Sequence, residues 1–84
     1  MTIYKINIKR KAQKFINKQE KSQQVRLYKA IYNLPAGDIK KLQSFSNKYR
    51  LRVGKYRIIF ELNQNEILID VTDADSRGDI YKIY

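Results

Sequence analysis

The sequence predicts an α+β domain, in which an antiparallel β-sheet carries a two-helix hairpin on one face. Three observations lead to this prediction. Residues 2–8 alternate in polarity as a strand does, two basic segments then show helical spacing of apolar residues, and from Tyr49 onward apolar residues recur at every second position. A strand, then helices, then consecutive strands is the order typical of α+β folds. With 84 residues, we expect a single domain spanning 1–84.

The first half of the chain is expected to form one strand and a helical hairpin. After the strand at residues 2–8, residues 10–18 carry a narrow apolar stripe that includes Phe15 and Ile16. The second helix is expected to begin at Ser22 as its N-cap. It should end before Pro35, because proline disfavours helical backbone at the residue that precedes it. Its predicted apolar face consists of Val25, Tyr28, Ile31 and Tyr32.

Residues 49–60 predict a β-hairpin whose two faces differ in chemistry. The Gly-Lys pair at 54–55 suits a two-residue type II′ turn, which pairs Arg52 with Arg57 across the hairpin. The strand period of two then separates apolar from basic residues. The apolar face holds Tyr49, Leu51, Val53, Tyr56, Ile58 and Phe60, and the opposite face holds Arg50, Arg52, Arg57 and Ile59. Neighbouring like charges are destabilising, so a bound anion such as a phosphate would relieve the repulsion on the basic face.

The last part of the chain is expected to add further strands. A turn at residues 63–65 leads to a strand over about 67–71, and a polar loop at 73–79 leads to a short edge strand at 80–84. The helices should therefore cover one face of the sheet and leave the arginine-bearing face open.

Charge and composition limit the classes of function that this chain can have. Eighteen Lys and Arg against eight Asp and Glu give a net charge of +10 and a pI near 9.9, which is typical of domains that meet nucleic acid or an acidic protein. A merely soluble basic surface is the alternative. The chain contains neither Cys nor His, so we expect no disulfide, no transition-metal site and no cofactor. No apolar run is long enough to span a membrane, and we expect a cytoplasmic protein.

Three segments carry a resemblance to a known family: LPAGDIKKL at 34–42, YRLRVGKYRIIF at 49–60 and RGDIYK at 77–82. In this order, and in a basic chain of this length, they resemble the RelE family of bacterial toxins within the RelE/ParE superfamily. The resemblance implies a ribosome-dependent endoribonuclease, or mRNA interferase, that cleaves messenger RNA in the ribosomal A site. The ribose 2′-hydroxyl would attack the adjacent phosphate. The expected partners are the ribosome, mRNA and an acidic, RelB-like antitoxin.

The resemblance also implies roles for individual residues. Arg57 falls on the phosphate-stabilising arginine of the family, Arg77 on a second arginine that protonates the leaving group or stabilises charge, and Tyr81 on the C-terminal tyrosine. Arg50 and Arg52 occupy two basic positions that are lysines in some members. The catalytic set is therefore expected to be Arg52, Arg57, Arg77 and Tyr81, with Arg50, Lys48 and Lys55 binding substrate.

The general base remains open at the sequence level. A lysine at the position of Arg52 could act as a base after its pKa is lowered, whereas an arginine, with a pKa above about 12, does so only with difficulty. Tyr81 is the other candidate, and a mechanism with paired histidines is excluded because the chain has none.

Each assignment has an alternative. The arginines at 50, 52 and 57 could be solvated or contact the antitoxin, Arg77 could pair with a nearby aspartate as a loop tether, and Tyr81 could simply pack at the sheet edge. At the level of function, the alternatives are a ParE-like inhibitor that binds DNA gyrase and an RNA-binding module without catalysis. The aromatic residues Tyr49, Tyr56 and Phe60 are expected in the core.

Overall fold

The predicted α+β architecture is present in the computed structural model, which describes residues 4–42, 47–63 and 65–76. Two helices lie against a sheet, and this sheet has five strands within the described residues. In chain order, the elements are β1 (Lys5–Ile8), α1 (Arg10–Asn17), α2 (Lys21–Tyr32), β2 (Asp38–Lys41), β3 (Lys48–Val53), β4 (Tyr56–Asn63) and β5 (Leu68–Asp75).

The strand order across the sheet is β1-β5-β4-β3-β2. Neighbouring strands are antiparallel except at one edge, where β1 pairs parallel to β5, with Ile6 opposite Ile69. The sheet therefore departs at this edge from the antiparallel arrangement predicted from sequence. Strands that are far apart in sequence meet there, and a parallel pair needs a crossover, which the helices and the intervening strands provide.

Two strand predictions were wrong in extent. The sequence reading began the second part of the sheet at Tyr49, but β2 precedes it at Asp38–Lys41 and pairs antiparallel with β3. Residues from Asp73 onward were predicted to form a loop, but β5 continues to Asp75. A β-bulge explains the second error, because it shifts the β4–β5 register between Ile59 and Phe60 and so interrupts the alternation of side chains. The predicted edge strand at 80–84 lies outside the described residues.

The register of the β3–β4 hairpin was predicted correctly. Val53 lies opposite Tyr56, and Arg52 lies opposite Arg57. Gly54 has a φ of +58°, whereas Lys55, the second turn residue, does not have a positive φ. A positive φ at the first central position alone agrees with the predicted type II′ turn.

The core lies between the helices and the apolar face of the hairpin. Its buried residues are Ala12, Ile16, Leu27, Ile31, Leu34, Leu51, Val53, Tyr56, Ile58, Phe60, Ile69 and Val71. The aromatic prediction is confirmed: Tyr56 and Phe60 are buried, and Tyr49 stacks on Phe60 with ring centroids 5.5 Å apart. The helices thus pack on this apolar face, and Ile59 on the opposite face is also fully buried.

The second helix differs from the prediction in its start and its buried side. It begins at Lys21 with Glu20 as the N-cap residue, and not after Ser22. Leu27 and Ile31, four residues apart, face the core, whereas Val25 and Tyr32 are 60% and 62% exposed. The error arose because the apolar residues of α2 surround much of the helix, so spacing alone allows more than one buried face. No helix among the described residues is long and apolar enough to cross a membrane.

The turn into β2 requires glycine at position 37. Gly37 has a φ of +125°, and a Cβ atom built there would lie 2.8 Å from Leu51 Cδ1 in the core. Gly54 also has a positive φ, but a Cβ there would meet the guanidinium of Arg26, the far end of a flexible side chain. A methyl group should therefore be tolerated better at Gly54 than at Gly37.

We expect Gly37→Ala to lower the free energy of unfolding more than Gly54→Ala. Alanine at Gly54 should cost about 1–3 kcal/mol for its positive φ alone, since Arg26 can move aside. Alanine at Gly37 should cost about 3 kcal/mol or more, because the strained backbone and the contact with Leu51 add. Urea unfolding of both variants measures the difference. Equal losses would contradict the described packing of Gly37 against Leu51.

Candidate functional site on the open sheet face

The face of the sheet that the helices leave open carries the predicted arginines. The strand register places them in two adjacent rows of cross-strand neighbours. One row runs Asp38, Arg52, Arg57 and Asp75, and the next runs Lys40, Arg50, Ile59 and Asp73. We call these eight residues the arginine face. The structure thus brings Arg50, Arg52 and Arg57 together, as predicted.

Asp38 supplies an internal anion for two of these arginines. Arg52 Nε donates to Asp38 Oδ2 at 3.1 Å, and Arg50 Nη1 lies 3.6 Å from Asp38 Oδ1. The sequence-based argument that repulsion among the arginines calls for an external phosphate is therefore corrected. Part of that repulsion is offset within the chain, because β2 places a carboxylate directly opposite Arg52.

Arg50 is more enclosed than Arg52, since their side chains are 13% and 54% exposed. Its Nη1 atom is buried and has no hydrogen-bond partner among the described residues, since 3.6 Å to Asp38 is an ion-pair distance and exceeds hydrogen-bond length. Buried charged donors are normally hydrogen-bonded. Arg50 therefore retains hydrogen-bonding capacity beside the Asp38 carboxylate.

Arg57 is half-buried and lies close to the hairpin turn. Its Nη1 atom donates to the carbonyl oxygens of Gly54 at 3.5 Å and Tyr56 at 3.4 Å. Both contacts are long for hydrogen bonds. A phosphate oxygen could compete for this group, because charge-assisted bonds are shorter and stronger.

The two lysines predicted to bind substrate are widely separated. Lys48 is the first residue of β3 and forms an ion pair with Glu61 at 3.5 Å. It lies two residues before Arg50 and therefore on the same face of the strand. Lys55 lies in the turn at the other end, with its Nζ atom 5.4 Å from the centre of the Tyr56 ring. The two ends of β3, Lys48 and Val53, are five residue steps apart, or about 17 Å. The structure therefore places the lysines at opposite ends of the hairpin, and one phosphate could not contact both.

Arg77 and Tyr81 lie outside the described residues, and their predicted roles remain predictions. Among the tyrosines that are described, Tyr49 and Tyr56 belong to the core side of the hairpin. Tyr28 is on α2, where its hydroxyl donates to Asn17 Oδ1 and where burial, with a smaller effect of Tyr32, raises its pKa. None of these three hydroxyls lies on the arginine face.

Sequence reasoning missed three carboxylates on the arginine face. Asp38 was noted only as part of the segment 34–42 that carries the family resemblance, and Asp73 and Asp75 only as residues of a polar loop near Arg77. Asp73 is 5% exposed and forms a 2.8 Å ion pair with Lys11 of α1. Asp75 lies opposite Arg57 and accepts a hydrogen bond from the Ser76 amide. For Asp73 and Asp75, the missing signal was the bulge between β4 and β5, which shifts the alternation and conceals the face on which they lie.

A groove adjoins the arginine face at the hairpin end. It has a volume of about 350 Å³ and lies between α2, the turn at 33–37 and the hairpin, with Arg52 and Asp38 in its wall. Arg26 reaches across it toward Gly54. Within the part of the chain that the structure describes, no group of three His, Cys, Asp or Glu side chains could hold a metal ion.

Comparison with solved structures identifies the fold. The chain is similar to the toxin of the RelE-RelB complex from Pyrococcus horikoshii OT3, with 25% identity and a TM-score of 0.76 over 93% of this chain and 98% of that one. It is similar to the toxin of the RelB-RelE antitoxin-toxin complex from Methanococcus jannaschii, with 27% identity and a TM-score of 0.72 over the same shares. The isolated Escherichia coli RelE toxin aligns with a TM-score of 0.70 and 17% identity over 95% and 93% of the two chains.

No protein-family model matches the sequence, and no curated protein matches it significantly. The resemblance to the RelE family rests on whole-chain structural similarity together with the sequence segments that first indicated it. That resemblance and the α+β fold class are confirmed. The protein class to which the fold and sequence point is the toxin of a toxin–antitoxin pair.

Proposed function

We propose that this protein is the toxin of a type II toxin–antitoxin system and acts as a ribosome-dependent mRNA endoribonuclease in the cytoplasm. The observation that carries the proposal is the convergence of Arg50, Arg52 and Arg57 on the open face of a RelE-like sheet. Three guanidinium groups on one small surface suit a phosphodiester, whose charge increases as the 2′-hydroxyl attacks.

The reaction needs four contributions. The 2′-oxygen must lose its proton, the attacking and leaving oxygens must be in line with phosphorus, the developing charge must be stabilised, and the 5′-oxygen must gain a proton. In our proposal, Arg57 stabilises the charge, Arg50 and Arg52 bind the phosphate, and Arg77 and Tyr81 act at the proton-transfer steps. In our proposal, the ribosome supplies the alignment of the RNA strand.

The proposed partner is an acidic antitoxin. The toxins of Pyrococcus horikoshii and Methanococcus jannaschii to which this chain is similar were solved in complexes with RelB. A net charge of +10 favours fast encounter with an acidic chain. We propose that the antitoxin covers Arg50, Arg52 and Arg57 or displaces the C-terminal segment, as a packed helix or an added strand.

The purified protein should cleave mRNA on translating ribosomes and leave naked transcript largely intact. Its products should carry a 2′,3′-cyclic phosphate or 3′-phosphate and a 5′-hydroxyl, since the 2′-oxygen is the nucleophile. Primer extension and end-group analysis on matched transcripts measure both. Equal cleavage of naked RNA at the same sites would overturn ribosome dependence. Intact mRNA together with inhibited gyrase supercoiling would favour the ParE-like alternative.

Arg57→Ala should slow single-turnover cleavage on the order of 10²-fold or more on saturating ribosomes, because it removes a group that stabilises transition-state charge. Arg10→Ala, which removes the same charge from an exposed position on α1, is the matched control and should retain the wild-type rate. Changing Lys14 of α1 and Lys18, the C-cap residue of that helix, together should instead weaken ribosome association and reduce its salt dependence. Normal cleavage by Arg57→Ala would show that the catalytic face has been misassigned.

Expression of the toxin alone from a tightly controlled promoter should arrest growth, and co-expression of a small acidic antitoxin encoded beside it should restore growth. The physical reason is charge: a basic face that binds RNA phosphate can be occupied by a partner's carboxylates. The measurement is growth together with pulse labelling of protein synthesis. Arg57→Ala at equal soluble expression is the control, and it should permit growth. Unimpaired growth with verified soluble wild-type protein would contradict the proposal.

A further inference from the structure

We propose that Asp38 is a positioning residue that holds Arg52, and through the same carboxylate Arg50, in the arrangement that binds the scissile phosphate. This inference rests on the proposed function and extends it to a residue on a different strand from the arginines. Sequence reasoning did not indicate such a role, because no strand was predicted at Asp38.

The fold places the Asp38 carboxylate among cations. Asp38 is the first residue of β2 and lies directly opposite Arg52, while Lys40 of the same strand lies opposite Arg50. Gly37 permits the sharp entry into this strand through its φ of +125°. Without Asp38, this corner of the arginine face would contain Arg50, Arg52 and Lys40 with no carboxylate between them.

The geometry of the contact distinguishes positioning from simple competition with the substrate. Asp38 Oδ2 accepts from Arg52 at Nε, 3.1 Å away. The two terminal nitrogens of Arg52 form the other edge of the planar guanidinium, and this edge can bind two phosphate oxygens at once. Asp38 and a phosphate can therefore bind Arg52 simultaneously.

The same carboxylate also restrains Arg50. Its Oδ1 atom lies 3.6 Å from Arg50 Nη1, the buried donor that lacks a hydrogen-bond partner among the described residues. One carboxylate thus links a solvent-exposed arginine and an enclosed one. Arginine side chains lose considerable rotamer entropy when they are ordered, and Asp38 imposes part of this ordering before RNA arrives.

Asp38→Asn separates this role from a general electrostatic one. The substitution removes one negative charge from the arginine face. Electrostatics alone therefore predicts equal or tighter ribosome binding and no loss of cleavage rate. Positioning predicts a cleavage rate on saturating ribosomes that is lower on the order of 10-fold to 100-fold, because a misplaced group loses alignment with the reacting phosphate. Ribosome affinity should be unchanged or higher.

Two controls accompany this variant. Glu66→Gln makes the same charge change at an exposed turn position away from the arginines, and it should leave the rate unchanged. Asp38→Glu keeps the carboxylate at an exposed site and should restore most of the rate. In an Arg52→Ala background, Asp38→Asn should cause little further loss, because the residue through which it acts is gone. Equal fold losses in both backgrounds would overturn the proposal.

A measurement that does not depend on cleavage separates failure of this inference from failure of the proposed function. In ¹H–¹⁵N spectra, the side-chain Nε–H signal of Arg52 should show restricted motion in wild type, Glu66→Gln and Asp38→Glu. In Asp38→Asn, the same group should become mobile. If wild type cleaves nothing but shows this pattern, the proposed function fails and Asp38 still orders Arg52. If Arg52 is equally mobile in wild type and Asp38→Asn, the positioning role is overturned.

Discussion

The register of the β3–β4 hairpin is the constraint on which the rest of the structure depends. Gly54 closes the turn in two residues, and its lack of a side chain leaves room for the guanidinium of Arg26. A slip of one residue would move every side chain of a strand to the opposite face. A slip of β3 would remove Leu51 and Val53 from the core and turn Arg50 and Arg52 toward the helices. Core and candidate site are therefore specified together.

The neighbouring strands β2 and β5 place carboxylates beside the arginines of the hairpin. Arginines alone would repel each other across the hairpin, but β2 brings Asp38 to one end of their row and β5 brings Asp75 to the other. The open face is thus a set of cations bordered by carboxylates, and the guanidinium groups are partly ordered before any ligand binds. In the proposed reaction, such preorganisation would stabilise the phosphorane, since groups already in place need no rearrangement.

Sequence reasoning succeeded where periodicity is local and strong. The alternation around Arg52 and Arg57 sufficed to predict the hairpin, its register and the face on which the arginines lie. It failed where pairing depends on distant residues: β2 is only four residues long, and the bulge near Ile59 is defined by contacts between two strands. The candidate site was consequently predicted as its cations alone. The positions of its carboxylates depend on the pairing of β2 with β3 and of β5 with β4.

We propose that the arginine face directs a ribose 2′-hydroxyl onto the neighbouring phosphate. The most direct test uses ribosomes programmed with an mRNA that contains a single 2′-deoxynucleotide at the cleavage position of the A-site codon, and an all-ribose mRNA as the control. We predict that single-turnover cleavage at that position disappears while toxin binding to the ribosome is unchanged. Cleavage of the deoxy-substituted message at the same bond and rate would contradict internal attack and the role assigned to this face.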